Sequence, residues 1–130
     1  MKKYFWYYAP VLLWMVGIFI MSSRQSVDVS EELIINFIVF KTIHVIEYAI
    51  LFMLWFRALQ SGSDNESKIG ASLKYAFGAA LIYAISDEVH QTFVPTRQGA
   101  LRDVFIDLIG ISLMYIYIKN NFRFVKRLLR

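Results

Sequence analysis

The chain has 130 residues, 58% hydrophobic and 17% aromatic, with no cysteine and a formal net charge of +4. Its apolar residues come in blocks rather than spread as in a soluble core, which predicts an integral membrane protein of one domain, residues 1–130. The absence of cysteine excludes a disulfide framework, a thiolate metal site and a thiol nucleophile. On so apolar a chain the positive balance suits anionic lipid head groups and topology, not nucleic acid.

A spanning helix needs about 20 mainly apolar residues, and four blocks approach that length: 4–21, 43–59, 72–84 with flanking turns, and 101–118. The first follows Lys2 and Lys3 but runs into Ser22-Ser23-Arg24-Gln25 without a small-x-small cleavage site, so it reads as a retained span and not a signal peptide. Pro10 falls in the first two turns of that block, where a missing amide donor does least damage. Next, Asp28 and Glu31 form a helix-start pair before Leu33, Ile34, Phe37 and Ile38 at helical spacing, with Asp28, Glu31 and Glu32 capping or solvating a surface helix. One helix over 30–59 would be about 45 Å long against a hydrocarbon core of about 30 Å, so part of it must project or lie along the surface. The polar stretch 60–67 is a flexible linker between the second and third spans. A turn with Pro95 and Gly99 joins the third and fourth. Arg123, Lys126, Arg127 and Arg130 then form a basic tail suited to anchoring at head groups.

Placing the N-terminus in the cytoplasm puts Lys2, Lys3, Arg57, Lys68, Lys74, Lys119, Arg123, Lys126, Arg127 and Arg130 inside, against Arg24, Lys41, Arg97 and Arg102 outside. That asymmetry predicts an all-α bundle of four transmembrane helices in the plasma membrane with both termini cytoplasmic. Acids lean the other way: only Asp64 and Glu66 fall inside, and the remaining eight fall on the outer half. Because acids do not set topology, that bias needs another cause.

The cause is a site, since up-and-down threading brings four polar segments to one outer level. Ser22 to Gln25 ends the first span, Lys41 to Glu47 opens the second, Asp87 to Gln91 ends the third, and Asp103 to Asp107 opens the fourth. Lys41, His44 and Tyr48 lie at i, i+3 and i+7, Asp87 and His90 at i and i+3, and Asp103, Asp107 and Gly110 at i, i+4 and i+7, so each helix can turn one polar stripe inward. Small Gly78, Ala79 and Gly110 would permit close helix approach beneath that stripe. Charged groups at membrane depth are costly, so their clustering marks a functional site by default.

The segment His44-Val45-Ile46-Glu47-Tyr48, then Ser86-Asp87-Glu88-Val89-His90-Gln91-Thr92-Phe93-Val94-Pro95-Thr96-Arg97, then Asp103, Asp107 and Gly110, closely resembles the VanZ-like family of small bacterial membrane proteins. The resemblance covers nearly the whole chain, including Ser22 and Ser23. The member that names the family is associated with low-level resistance to the glycopeptide teicoplanin. The resemblance therefore implies a role in the cell envelope and in tolerance of glycopeptide or lipopeptide antibiotics, without implying a mechanism.

Three readings of the constellation follow from its chemistry. In an enzyme acting on a lipid-linked or amphipathic substrate, His44 and His90 serve as base or nucleophile, Glu47, Asp87 and Glu88 as acid/base or orienting carboxylates, and Lys41 and Arg97 as anion clamps. No cofactor is required, although two histidines and several carboxylates could hold a divalent metal that activates water; neither histidine lies in a metalloprotease helix motif. In a binding protein the same groups, with Ser23, Tyr48, Gln91, Asp103 and Asp107, recognise an anionic antibiotic or a lipid-linked cell-wall intermediate without transforming it. Binding predicts an effect that scales with protein amount, whereas catalysis predicts many turnovers per molecule. In the third reading the groups pair only with each other to hold the bundle, a use for which apolar packing often serves as well.

Overall fold

A computed structural model describes residues 2–24, 33–61, 68–95, 97 and 99–128. Among these every regular element is a helix: α1 (Lys2–Ser22), α2 (Leu33–Gln60), α3 (Ile69–Gln91), α4 (Leu101–Asn120) and α5 (Phe122–Leu128). The expected Asp28–Glu31 helix start and most of the 60–67 linker lie outside the described residues. Three helices are long and apolar enough to cross a membrane, over Tyr4–Ser22, Ile34–Gln60 and Ile69–Gln91. The protein is therefore a membrane protein. Its outward surface agrees, because Leu13, Ile34, Ile82, Leu101 and Phe105 are each more than half exposed, a cover of apolar side chains that suits lipid rather than water.

Two boundaries differ from the sequence reading. α1 begins two residues earlier than the apolar block, which moves Pro10 into its third turn; the helix runs through it at the loss of one amide donor. α2 is one unbroken helix of 28 residues, about 42 Å long, so it begins ten residues before the apolar block at 43–59 and exceeds a hydrocarbon core of about 30 Å, as a single helix over 30–59 would. α4 matches α1 in length to within one residue. Arg102, Asp103 and Asp107 in its first two turns lower its hydropathy, and it is not one of the three helices above.

α2 is the centre of the packing and touches α1, α3 and α4. Its buried Tyr48, Leu51, Phe52 and Phe56 meet Val11 and Ile18 of α1, Ala76, Ala80 and Ala84 of α3, and Ile111 and Ile118 of α4. Contacts at the helix ends establish the threading. The Tyr7 ring of α1 lies under Arg57 of α2, Ser72 near the start of α3 donates to Gln60 at the end of α2, and Phe122 meets Phe56. At the opposite end Ser23 meets His90 and Lys41 meets Asp103. Helices α1 and α3 thus run one way and α2 and α4 the other, with both ends of the described chain at the end opposite the polar cluster.

Close approach comes from small residues, though not all those expected. A Cβ built on Gly110 would collide with the backbone of Val45, so α4 meets α2 there without room for a methyl group. Gly78 has nothing within 4 Å of that position and makes no such contact. On α3 the role passes to Ala76, Ala80 and Ala84, spaced four apart on one face and fully buried.

Candidate functional site

The four long helices leave a cavity of about 250 Å³ at the polar end, lined by Ile18, Met21 and Ser22 of α1, Phe40, Lys41, Ile43, His44 and Glu47 of α2, Asp87 and Gln91 of α3, Asp103 of α4, and Arg97 of the connecting turn. The helical period accounts for this convergence. Lys41, His44 and Glu47 stand three apart, so one α2 face carries all three, and Asp87 and Gln91 stand four apart on α3.

A salt bridge and a histidine–carboxylate hydrogen bond tie α2 to α4. Lys41 Nζ lies 2.6 Å from Asp103 Oδ2. His44 Nδ1 lies 3.0 Å from Oδ1 of Asp107, which is fully buried. A carboxylate at Nδ1 holds the ring in one orientation with its proton on that nitrogen, leaving Nε2 as the basic atom. Both pairs lie one and two turns from Gly110, whose bare backbone sets how near the helices come.

A third network ties α3 to α1. Gln91 Nε2 donates to Asp87 Oδ2 at 2.9 Å, and Arg97 Nη1 donates to Gln91 Oε1 at 3.3 Å. The Arg97 Nε donates to the Arg24 carbonyl at 2.8 Å, and its Nη2 reaches the Met21 carbonyl at 3.4 Å. Arg97 thus caps the end of α1, where unsatisfied carbonyls and the helix dipole favour a cation. The two cations expected to clamp an anion are both held by the chain itself.

Other expected residues are placed around the cavity, not in its lining. Glu88 Oε2 accepts from the Ala100 amide at 2.8 Å and so holds the start of α4, a role its neighbours in sequence did not suggest. His90 Nε2 meets Ser23 Oγ at 3.0 Å, and its ring lies 4.5 Å from that of Phe19, on the α1 side of α3. The Ser23 hydroxyl donates to the Phe19 carbonyl, so its lone pair receives the His90 N–H. Tyr48 of α2 and Asp107 of α4 lie fully buried within the bundle. There the Tyr48 hydroxyl, Asp107 Oδ2 and Asp87 Oδ1 have no hydrogen-bond partner. Among the described residues no group of three or more His, Asp or Glu is arranged to hold a metal ion.

The family model described as VanZ/LLP1 matches residues 5–125. The chain belongs to the VanZ/LLP1 family. No curated protein and no solved structure matched it.

The matched region of this VanZ/LLP1 chain includes every residue of the cavity lining. Sequence reasoning did not single out Ile18, Met21, Phe40 or Ile43, since apolar residues in apolar blocks carry no signal of facing a cavity. It also missed Trp14 and Tyr83, whose polar atoms donate to the Glu47 and Met15 carbonyls and tie α1 to its neighbours beneath the cavity.

Proposed function

We propose that this VanZ/LLP1 protein is a four-span protein of the bacterial plasma membrane, with both termini cytoplasmic and a cavity open to the outer face. The cavity binds the polar end of an amphipathic envelope ligand, either a glycopeptide or lipopeptide antibiotic or a lipid-linked cell-wall intermediate, and thereby contributes to antibiotic tolerance. In support of the fourth span, α4 runs beside α2 from the Lys41–Asp103 pair to the contact of Tyr115 with Phe52, and its 20 residues reach about 30 Å. The orientation follows from the Lys and Arg asymmetry. Binding is carried by one observation: polar side chains from four helices converge on a half-open space that apolar packing alone would have closed. A volume of about 250 Å³ suits a head group rather than a whole glycopeptide.

The test is teicoplanin susceptibility of a sensitive host expressing the protein. Met21→Trp fills the cavity from a position already half exposed, so the fold has room for the larger ring. It is expected to abolish any rise in the inhibitory concentration at unchanged membrane abundance. Unaltered tolerance would refute a ligand in the cavity.

A second reading has a specific observation behind it. The His44–Asp107 pair has the geometry of an oriented general base, with Nε2 remaining for a substrate or water at the cavity wall. A hydrolase or transferase of this kind would use His44 as base, Asp107 to position it, and Glu47 or Asp87 as acid. Single-turnover against multiple-turnover consumption of a lipid-linked substrate by purified protein separates the two readings. A purely ion-paired scaffold leaves the unpartnered buried atoms of Asp87, Asp107 and Tyr48 without a reason.

A further inference from the structure

Each cationic side chain at the cavity is already directed at a partner within the chain. Lys41 is occupied by Asp103, Nδ1 of His44 by Asp107, and three nitrogens of Arg97 by Gln91 and the Met21 and Arg24 carbonyls. Asp87 Oδ2 is satisfied by Gln91, but Asp87 Oδ1 is buried and has no partner, although the residue is only 4% exposed and borders the cavity. The Glu47 carboxylate borders the same space and makes no side-chain hydrogen bond among the described residues. A buried acceptor in hydrocarbon without a donor costs several kcal/mol.

Charge points the same way. Asp103 has Lys41 and, at 3.4 Å, the exposed Arg102, and Asp107 just beneath has His44, whereas among the described residues Glu47 and Asp87 have no cation within salt-bridge distance. An anion would enter beside two carboxylates that have no ion-pair partner; a cation would supply one. An ammonium group supplies one positive charge and N–H donors enough to reach both Asp87 Oδ1 and Glu47. The apolar remainder of such a ligand has an exit, because Met21 and Ile43 border the cavity and are themselves more than a third exposed on the outer surface of the bundle.

Resting on the reading of the cavity as a ligand site, we propose that it takes the protonated amine of an amphipathic ligand, with Asp87 and Glu47 as its acceptors. The head-group selectivity is therefore for a primary ammonium and not for the carboxylate or phosphate that Arg97 and Lys41 suggest in sequence.

The test uses the full chain purified in neutral maltoside micelles at pH 7, titrated calorimetrically with n-hexylamine and with hexanoate, probes of equal length and opposite charge. Hexylamine is expected to bind and hexanoate not. Asp87→Asn, which keeps the side-chain shape, is expected to weaken hexylamine at least about tenfold. Glu47→Gln, on a different helix, is expected to act in the same direction and carries the test if Asp87→Asn does not fold. Hexanoate binding as tightly as hexylamine would overturn the amine assignment while leaving the cavity a ligand site. Equal hexylamine heats from wild type and both variants would mean partition into micelles and would also overturn it. Failure of both probes to bind would remove the ligand-site reading together with the inference.

Discussion

Gly110→Ala tests whether the α2–α4 approach builds the site. The added Cβ would stand 2.9 Å from the Val45 carbonyl carbon and 3.1 Å from its Cα, with the carbonyl oxygen nearer still. Ordinary carbon contacts are about 3.5 to 4.0 Å, so the helices must separate by roughly 1 Å, and neither neighbour is a flexible side chain that can swing aside. Overpacking of this kind costs about 1 to 3 kcal/mol. The same separation stretches the 3.0 Å His44–Asp107 hydrogen bond beyond bonding range and leaves a fully buried carboxylate without its donor, a further penalty of about 1 to 3 kcal/mol. Gly78→Ala is the internal control: nothing lies within 4 Å of its new Cβ, and alanine is favoured over glycine in a helix by about 1 kcal/mol. Equilibrium unfolding in mixed micelles should show Gly110→Ala destabilised by at least about 2 kcal/mol and Gly78→Ala neutral or stabilised. If Gly110→Ala lies within about 1 kcal/mol of wild type, the helices are not held at the separation described and the geometry of both α2–α4 pairs is wrong.

Arg97→Lys keeps a cation at the end of α1 but cannot reach the Met21 and Arg24 carbonyls and Gln91 together, so stability should fall by about 1 to 3 kcal/mol while any preference between amine and carboxylate probes is unchanged; a reversed preference would restore Arg97 as an anion clamp. Glu88→Ala should cost a similar amount by stranding the Ala100 amide, and Glu88→Gln, which keeps an acceptor oxygen, should recover most of it in the same unfolding assay; equal losses in both variants would show that the charge, not the hydrogen bond, matters. For topology, a cysteine replacing the exposed Phe93 should react with a membrane-impermeant thiol reagent in intact cells, and one replacing the exposed Lys68 only after permeabilisation. The opposite pattern would turn the cavity toward the cytoplasm.

Membrane character, helical class and the convergence of polar segments were legible in the chain because they depend on quantities local in sequence. Long apolar blocks can satisfy their backbone in lipid only as helices, and the period of 3.6 residues places Lys41, His44 and Glu47 on one face wherever that helix packs. The family, too, was readable from the run 86–97 with Asp103, Asp107 and Gly110. Partnership was not legible, because it depends on rotation and separation between helices distant in sequence. Lys41 and Arg97 look like unoccupied anion receptors along the chain; packing of α4 against α2 gives one to Asp103, and the packing of α3 beside α1 brings the other to the end of α1. Likewise Glu88 and Asp87 are adjacent in sequence, yet successive residues on a helix point about 100° apart. Only the packing determined that Asp87 borders the cavity while Glu88 holds the first amide of the turn into α4.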